Sequence, residues 1–184
     1  EAAQDLSGGS LSLSSEGNIV AIGAYNNDHS GHVRVYENIG GSWSQVGQDI
    51  DGEASDDMSG WSVSLSSDGN TVAIGAYQNA DNGLNSGHVR IYNYNGATWT
   101  QLGADIDGKA GYYSGNSVSL SSDGNTVAIG TLSNTGRVRV YNLAKFNNSV
   151  PIASNVSAAT LQNVDAKIHL VANDADFDNL TYSI

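Results

Sequence analysis

Three aspartates, Asp174, Asp176 and Asp178, stand at alternate positions in the stretch Asn173-Asp174-Ala175-Asp176-Phe177-Asp178-Asn179. Calcium takes about six to eight hard oxygen ligands, so closely spaced carboxylates backed by main-chain carbonyls are what it requires. Calcium is therefore the cofactor expected there, although Asp and Asn also populate solvated turns without any metal. Asp49, Asp51, Asp56 and Asp57 form a second, looser acidic group. One repeat later Asp105 and Asp107 are kept, but Lys109 replaces Glu53 and Tyr112-Tyr113 replace Asp57-Met58. A cation inserted among ligands is hard to reconcile with a required metal, so this group reads first as a strand-capping loop and second as a metal site. His32 and His88 share one repeat position, which Arg137 takes in the third repeat, and such a position reads as a surface strand residue. A ligand or general-base role is not expected of them, nor of His29 and His169. No nucleophile elbow, cysteine, phosphate-cradling loop or helical His pair is present. No catalytic residue is assigned, and the chain is expected not to be an enzyme.

The elements that would position these residues repeat. Ser62-Val63-Ser64-Leu65-Ser66-Ser67-Asp68-Gly69-Asn70-Thr71-Val72-Ala73-Ile74-Gly75-Ala76 alternates apolar and small polar residues on both sides of Asp-Gly. That is the pattern of a half-buried β-hairpin whose turn uses glycine for a positive φ. The text recurs around Gly17 and Gly124, at spacings of 52 and 55 residues. A third strand follows each hairpin: Gly31-His32-Val33-Arg34-Val35-Tyr36, Gly87-His88-Val89-Arg90-Ile91-Tyr92 and Gly136-Arg137-Val138-Arg139-Val140-Tyr141. A fourth follows twice, as Trp43-Ser44-Gln45-Val46-Gly47 and Trp99-Thr100-Gln101-Leu102-Gly103, and is missing from the third repeat. Four short antiparallel strands per unit, with no helical periodicity, predict propeller blades. Trp43 and Trp99 are expected to pack between blades rather than to stack on sugars.

The predicted fold class is all-β: three four-stranded antiparallel blades of a partial propeller, the last incomplete, then a truncated β-sandwich segment. Residues 1–145 form the partial propeller, with repeats at about 1–52, 53–108 and 109–145, followed by a linker at 146–151 and the sandwich segment at 152–184. Three blades do not close a ring of about four to eight, so the chain is expected to be an arc cut from something longer.

Of 184 residues, 19 are acidic and 7 basic, a net charge of −12. Nucleic acid and anionic membrane surfaces are poor partners for such a chain, because both require clustered Lys and Arg. No run of apolar residues is long enough to cross a membrane as a helix.

The blades resemble FG-GAP-like, integrin-α-type propeller repeats of large secreted bacterial proteins. Ser59-Gly60-Trp61-Ser62-Val63, Val72-Ala73-Ile74-Gly75-Ala76 and Gly87-His88-Val89-Arg90-Ile91-Tyr92 carry the resemblance. Integrin-type repeats hold calcium in a loop rich in aspartate, whereas Ser66-Ser67-Asp68-Gly69-Asn70 has one carboxylate, so that calcium is not carried over. Ala172-Asn173-Asp174-Ala175-Asp176-Phe177-Asp178 with Leu180-Thr181-Tyr182-Ser183-Ile184 resembles the opening of a cadherin-like, immunoglobulin-type bacterial surface domain. In such domains an Asp-x-Asp element helps to bind calcium between neighbours.

These resemblances imply a non-enzymatic binding or adhesion module, extracellular, secreted or on a cell surface. Its propeller loops, such as Tyr77 to Ser86, would meet a protein or glycan on a cell or matrix surface. Further blades and domains of the same parent chain are the other expected partners. Two alternatives stand: an accessory carbohydrate-binding part of a secreted polysaccharide-degrading enzyme, and a purely structural repeat spacer.

Overall fold

A computed structural model describes residues 4–133 and 136–143, together with the backbone of 152–153 and 172–173. The chain divides into two compact units, Glu1–Leu143 and Ala144–Ile184. In the second, β14 (Ile152–Ala153) pairs antiparallel with β15 (Ala172–Asn173). The cadherin-like reading, with Asp174, Asp176 and Asp178, otherwise falls outside the described residues.

The first unit is three antiparallel sheets. The first holds β1 (Ser10–Leu13), β2 (Ile19–Ala24), β3 (His32–Ile39), β4 (Ser42–Gln45) and β5 (Ile50–Asp51), with a 3-10 turn at Asn27–His29 between β2 and β3. The second repeats this plan with β6 (Ser59–Leu65), β7 (Thr71–Ala76), β8 (His88–Tyr94), β9 (Trp99–Gln101) and β10 (Ile106–Asp107). The third holds β11 (Ser114–Leu120), β12 (Thr126–Thr131) and β13 (Arg137–Asn142).

The hairpins form where the alternation places them. Val63 lies opposite Ile74 and Leu65 opposite Val72. The turn is longer than a two-residue hairpin: Gly69 N–H donates to the Ser66 carbonyl at 3.0 Å, and Gly69 alone in it has positive φ, at 74°. The expected fourth strand is two short pieces. Gly47 and Gly103, each at φ 72°, turn the chain so that β4 and β9 pair with the far half of the third strand, and β5 and β10 with its beginning.

The sheets stack as blades, β1 against β6 and β6 against β11. In the first seam Ala21, Val33, Val35 and Ile50 of blade one meet Val63, Leu65, Val72, Ile74 and Trp99 of blade two. In the second, Ala73, Val89, Ile91 and Ile106 are buried on one side, Val127 and Ile129 on the other. Fully burying such an aliphatic side chain contributes about 1.5–3 kcal/mol, so these seams hold the unit together.

The repeated serines tie the seams. Ser10 Oγ donates to the Gly60 carbonyl at 2.7 Å, and Ser62 Oγ to the Gly115 carbonyl at 2.8 Å. Leu65 N–H donates to Ser12 Oγ and Leu120 N–H to Ser64 Oγ, both at 2.9 Å. The Ile-Gly-Ala motif has the same origin: a Cβ on Gly23 would strike the Gly60 carbonyl, and one on Gly75 the Gly115 carbonyl. Main chains of neighbouring blades approach there too closely for any side chain.

Two expectations are corrected. His32 and His88 are buried, not surface residues, because β5 and β10 lie alongside them with Asp51 opposite His32 and Asp107 opposite His88. Trp99 is packed at 4% exposure against blade one, as expected, but Trp43 is 47% exposed, since no described blade covers that face of blade one.

Candidate functional site

One end of the blades gathers the β2–β3 and β7–β8 loops and the two inter-blade crossings. The other end carries the first hairpin turns, Ser-x-Asp-Gly-Asn in blades two and three, and the turns between third and fourth strands. There Ser66 Oγ donates to Asp68 Oδ1 at 2.5 Å, Asn70 N–H to the same oxygen at 3.0 Å, and Asn70 Nδ2 to Oδ2 at 3.1 Å. These donors, the Ser66 hydroxyl first, hold the Asp68 carboxyl below its ordinary value, and Ser121 does the same for Asp123. The lone carboxylate of this turn is thus engaged by donors of the turn itself.

At the loop end four aromatic rings run in a row across all three blades. Tyr25 follows β2, Trp61 opens β6, Tyr77 follows β7 and Tyr113 precedes β11. Successive ring centroids are 4.8 Å, 4.4 Å and 6.1 Å apart. All four are half-buried. Aromatic rings so placed combine a large apolar contact area with a polar tip.

Asn79 organises the loop beside this row. It is fully buried, and its Nδ2 donates to Asp57 Oδ2 at 3.0 Å and Glu53 Oε1 at 3.2 Å. Its Oδ1 accepts from Asp81 N–H at 3.1 Å, and its carbonyl accepts from Gly87 N–H at 2.9 Å and Ser86 Oγ at 3.0 Å. One amide thus pins both ends of the β7–β8 loop to the crossing between blades one and two. Asn27 repeats the device in blade one, donating to Asp5 Oδ2 at 3.2 Å.

The four aspartates of the looser acidic group separate. Asp49 and Asp51 gather with His32, and Asp57 turns to Asn79, while Asp56 is exposed. Asp49 receives Arg34 Nη2 at 2.8 Å and Gln45 Nε2 at 2.6 Å. The Arg34 guanidinium holds the Asp49 carboxyl below its ordinary value, against a partial burial that acts the other way. In blade two Glu53, Asp81, His88 and Asp105 converge. His88 Nδ1 is buried without a hydrogen bond, 3.5 Å from both Glu53 Oε1 and Asp105 Oδ2. Arg90 bridges Glu53 and Asp105, so a guanidinium already supplies positive charge in this group. Burial beside it raises the Tyr92 phenol above its ordinary value.

The aromatic row and Asn79 are what sequence reasoning missed. The Tyr at one position after Ile-Gly-Ala in two repeats, and the Asn two residues beyond it, were the available signals. Tyr25 and Tyr113 meet rings of a neighbouring repeat, and Asn79 meets a crossing more than twenty residues before it, which the spacing of the strands does not reveal.

Residues 49–92, from β5 through the third strand of blade two, match the FG-GAP repeat. No curated protein sequence is significantly similar to the chain. Among solved structures, a Bacteroides uniformis protein described as a 6-phosphogluconolactonase is 18% identical, with a TM-score of 0.49. The similarity covers 72% of this chain and 35% of that one, so the chain spans about a third of its length. The all-β blades, one segment of which matches the FG-GAP repeat, give a β-propeller-like module.

Proposed function

We propose that this chain is a non-enzymatic recognition module working outside the cell, whose blades hold a rigid loop end against a protein or glycan on a cell or matrix surface. The aromatic row carries this reading. Four half-buried rings aligned across three blades, beside a loop pinned by Asn79, form a platform fixed before any ligand arrives. Rings on sheets lose little conformational freedom on binding, which favours affinity. Loops on a rigid scaffold are where recognition is commonly placed.

The test is a glycan and extracellular-protein array with the chain and its Trp61→Ala and Tyr77→Ala variants. Binding that drops about tenfold or more in both variants, with the fold intact by circular dichroism, supports the platform. Silence of the unaltered chain on both arrays leaves the spacer reading in its place. Calcium at Asp174, Asp176 and Asp178 is part of the same proposal. A melting temperature that rises with calcium, falls with chelator and loses this response in the triple Asn variant supports it.

A further inference from the structure

In the first two blades the beginning of the third strand is covered by an acidic strand in a fixed register. Ile50 lies opposite Val33 and Asp51 opposite His32, while Ile106 lies opposite Val89 and Asp107 opposite His88. The aspartate one residue earlier takes the arginine of the third strand. Arg34 Nε and Nη2 reach Asp49 at 3.0 Å and 2.8 Å, and Arg90 Nε and Nη2 reach Asp105 at 3.1 Å. An Asp-Ile-Asp segment thus lies twice along an Arg, an aliphatic residue and a His, with the Arg bonded to its first aspartate both times.

Blade three presents Arg139, Val138 and Arg137 at these positions. Its strand β13 pairs with β12 on one side and with no other strand among the described residues. Val138 is 72% exposed, where its counterpart Val89 is buried both beside Ile106 of β10 and in the seam with blade three. Arg139 has no carboxylate partner among its hydrogen bonds; its guanidinium donates to the Asp107 carbonyl and to Ser114 Oγ, both at 2.8 Å. Arg137 lies over the Tyr112 ring, 5.3 Å from its centroid. Beside them is a cavity of about 380 Å³ lined by Lys109, Tyr112, Thr131, Arg137, Val138 and Arg139. Three of the chain's seven basic residues meet there, in a molecule of net charge −12.

We propose that the edge of β13, open among the described residues, is a docking site for an extended strand of Asp-aliphatic-Asp chemistry, the type this repeat uses for its own fourth strand. The strand adds to the sheet by main-chain hydrogen bonds, the mode by which exposed edges accept peptides. Its aliphatic residue covers Val138, its first aspartate takes Arg139 and its second faces Arg137. Replacing His by Arg at the third position gives this edge a permanent cation, so it selects acidic strands more strongly than the edges of the other blades. The site is separate from the aromatic row and does not depend on it.

The experiment titrates the full chain into a fluorescently labelled synthetic peptide of residues 42–52, Ser-Trp-Ser-Gln-Val-Gly-Gln-Asp-Ile-Asp-Gly. Saturable binding is expected, weakening with added salt. It is also expected to fall about threefold to tenfold for each charge pair removed, by Asn at either aspartate of the peptide or by Arg139→Gln or Arg137→Gln in the chain. Both arginines lie on an edge strand, and circular dichroism checks that their variants keep the fold. Absence of saturable binding overturns the proposal. So does equal affinity for the peptide with both aspartates changed to Asn, which would mean an unspecific apolar contact.

Discussion

The smallest parts of this molecule that decide its architecture are hydrogen atoms and hydroxyls. Gly75 and Gly130 occupy the same repeat position, but only Gly75 faces the main chain of a following blade; at Gly130 the nearest obstacle is the Ser117 hydroxyl, which can turn away. Gly75→Ala is therefore expected to destabilise by about 2–3 kcal/mol, and Gly130→Ala by well under half of that, in urea unfolding followed by circular dichroism. The carboxylates give a second expectation. Asp49 and Asp68 are held below the ordinary 3.8 in the folded chain. The stability they add is complete above the ordinary carboxylate range and is lost as pH falls through their folded values. Melting temperature should fall on acidification below about pH 4. Asp49→Asn and Asp68→Asn should each shallow that fall, while leaving the profile near neutrality flat.

At the level of strands and loops, the hairpins were legible in advance because everything that makes them is local. Val63, Leu65, Val72 and Ile74 alternate within one hairpin, and Asp68-Gly69 closes it. The division of the fourth strand into β4 and β5 was not legible, because it depends on a positive φ at Gly47 that the surrounding residues do not demand. Nor was the burial of His32 and His88, which follows from a strand arriving about twenty residues later. The loop site was hidden for the same reason. Asn79 looks like any turn asparagine until Asp57 and Glu53, from the preceding crossing, are placed beside it. Asn79→Ala leaves the buried Asp57 carboxylate without this donor, at a cost of about 1–3 kcal/mol. Limited proteolysis should then cut first within Tyr77 to Ser86, and faster there than in the unaltered chain.

On the scale of the first unit, blade two is covered on both faces by described residues and its neighbours on one. The uncovered faces are apolar: Leu11, Leu13 and Trp43 on blade one, Val138 and Val140 on blade three. They are repeat equivalents of residues that meet in the seams, so each end is shaped for the opposite end of another copy. Concentration-dependent self-association is expected in sedimentation velocity, and Trp43→Arg or Val140→Asp should reduce it. The serine and glycine seams carry a further consequence, for the order in which the molecule comes apart. Each blade exchanges stabilisation only with its neighbours, so unfolding follows nearest-neighbour, one-dimensional rules rather than a single all-or-none step. Amide hydrogens of β7 should be the last to exchange with deuterium, those of β1 and β13 the first. The protection pattern would then fall symmetrically outward from the centre, a gradient written by the number of neighbours and not by local sequence, which is nearly the same in all three blades.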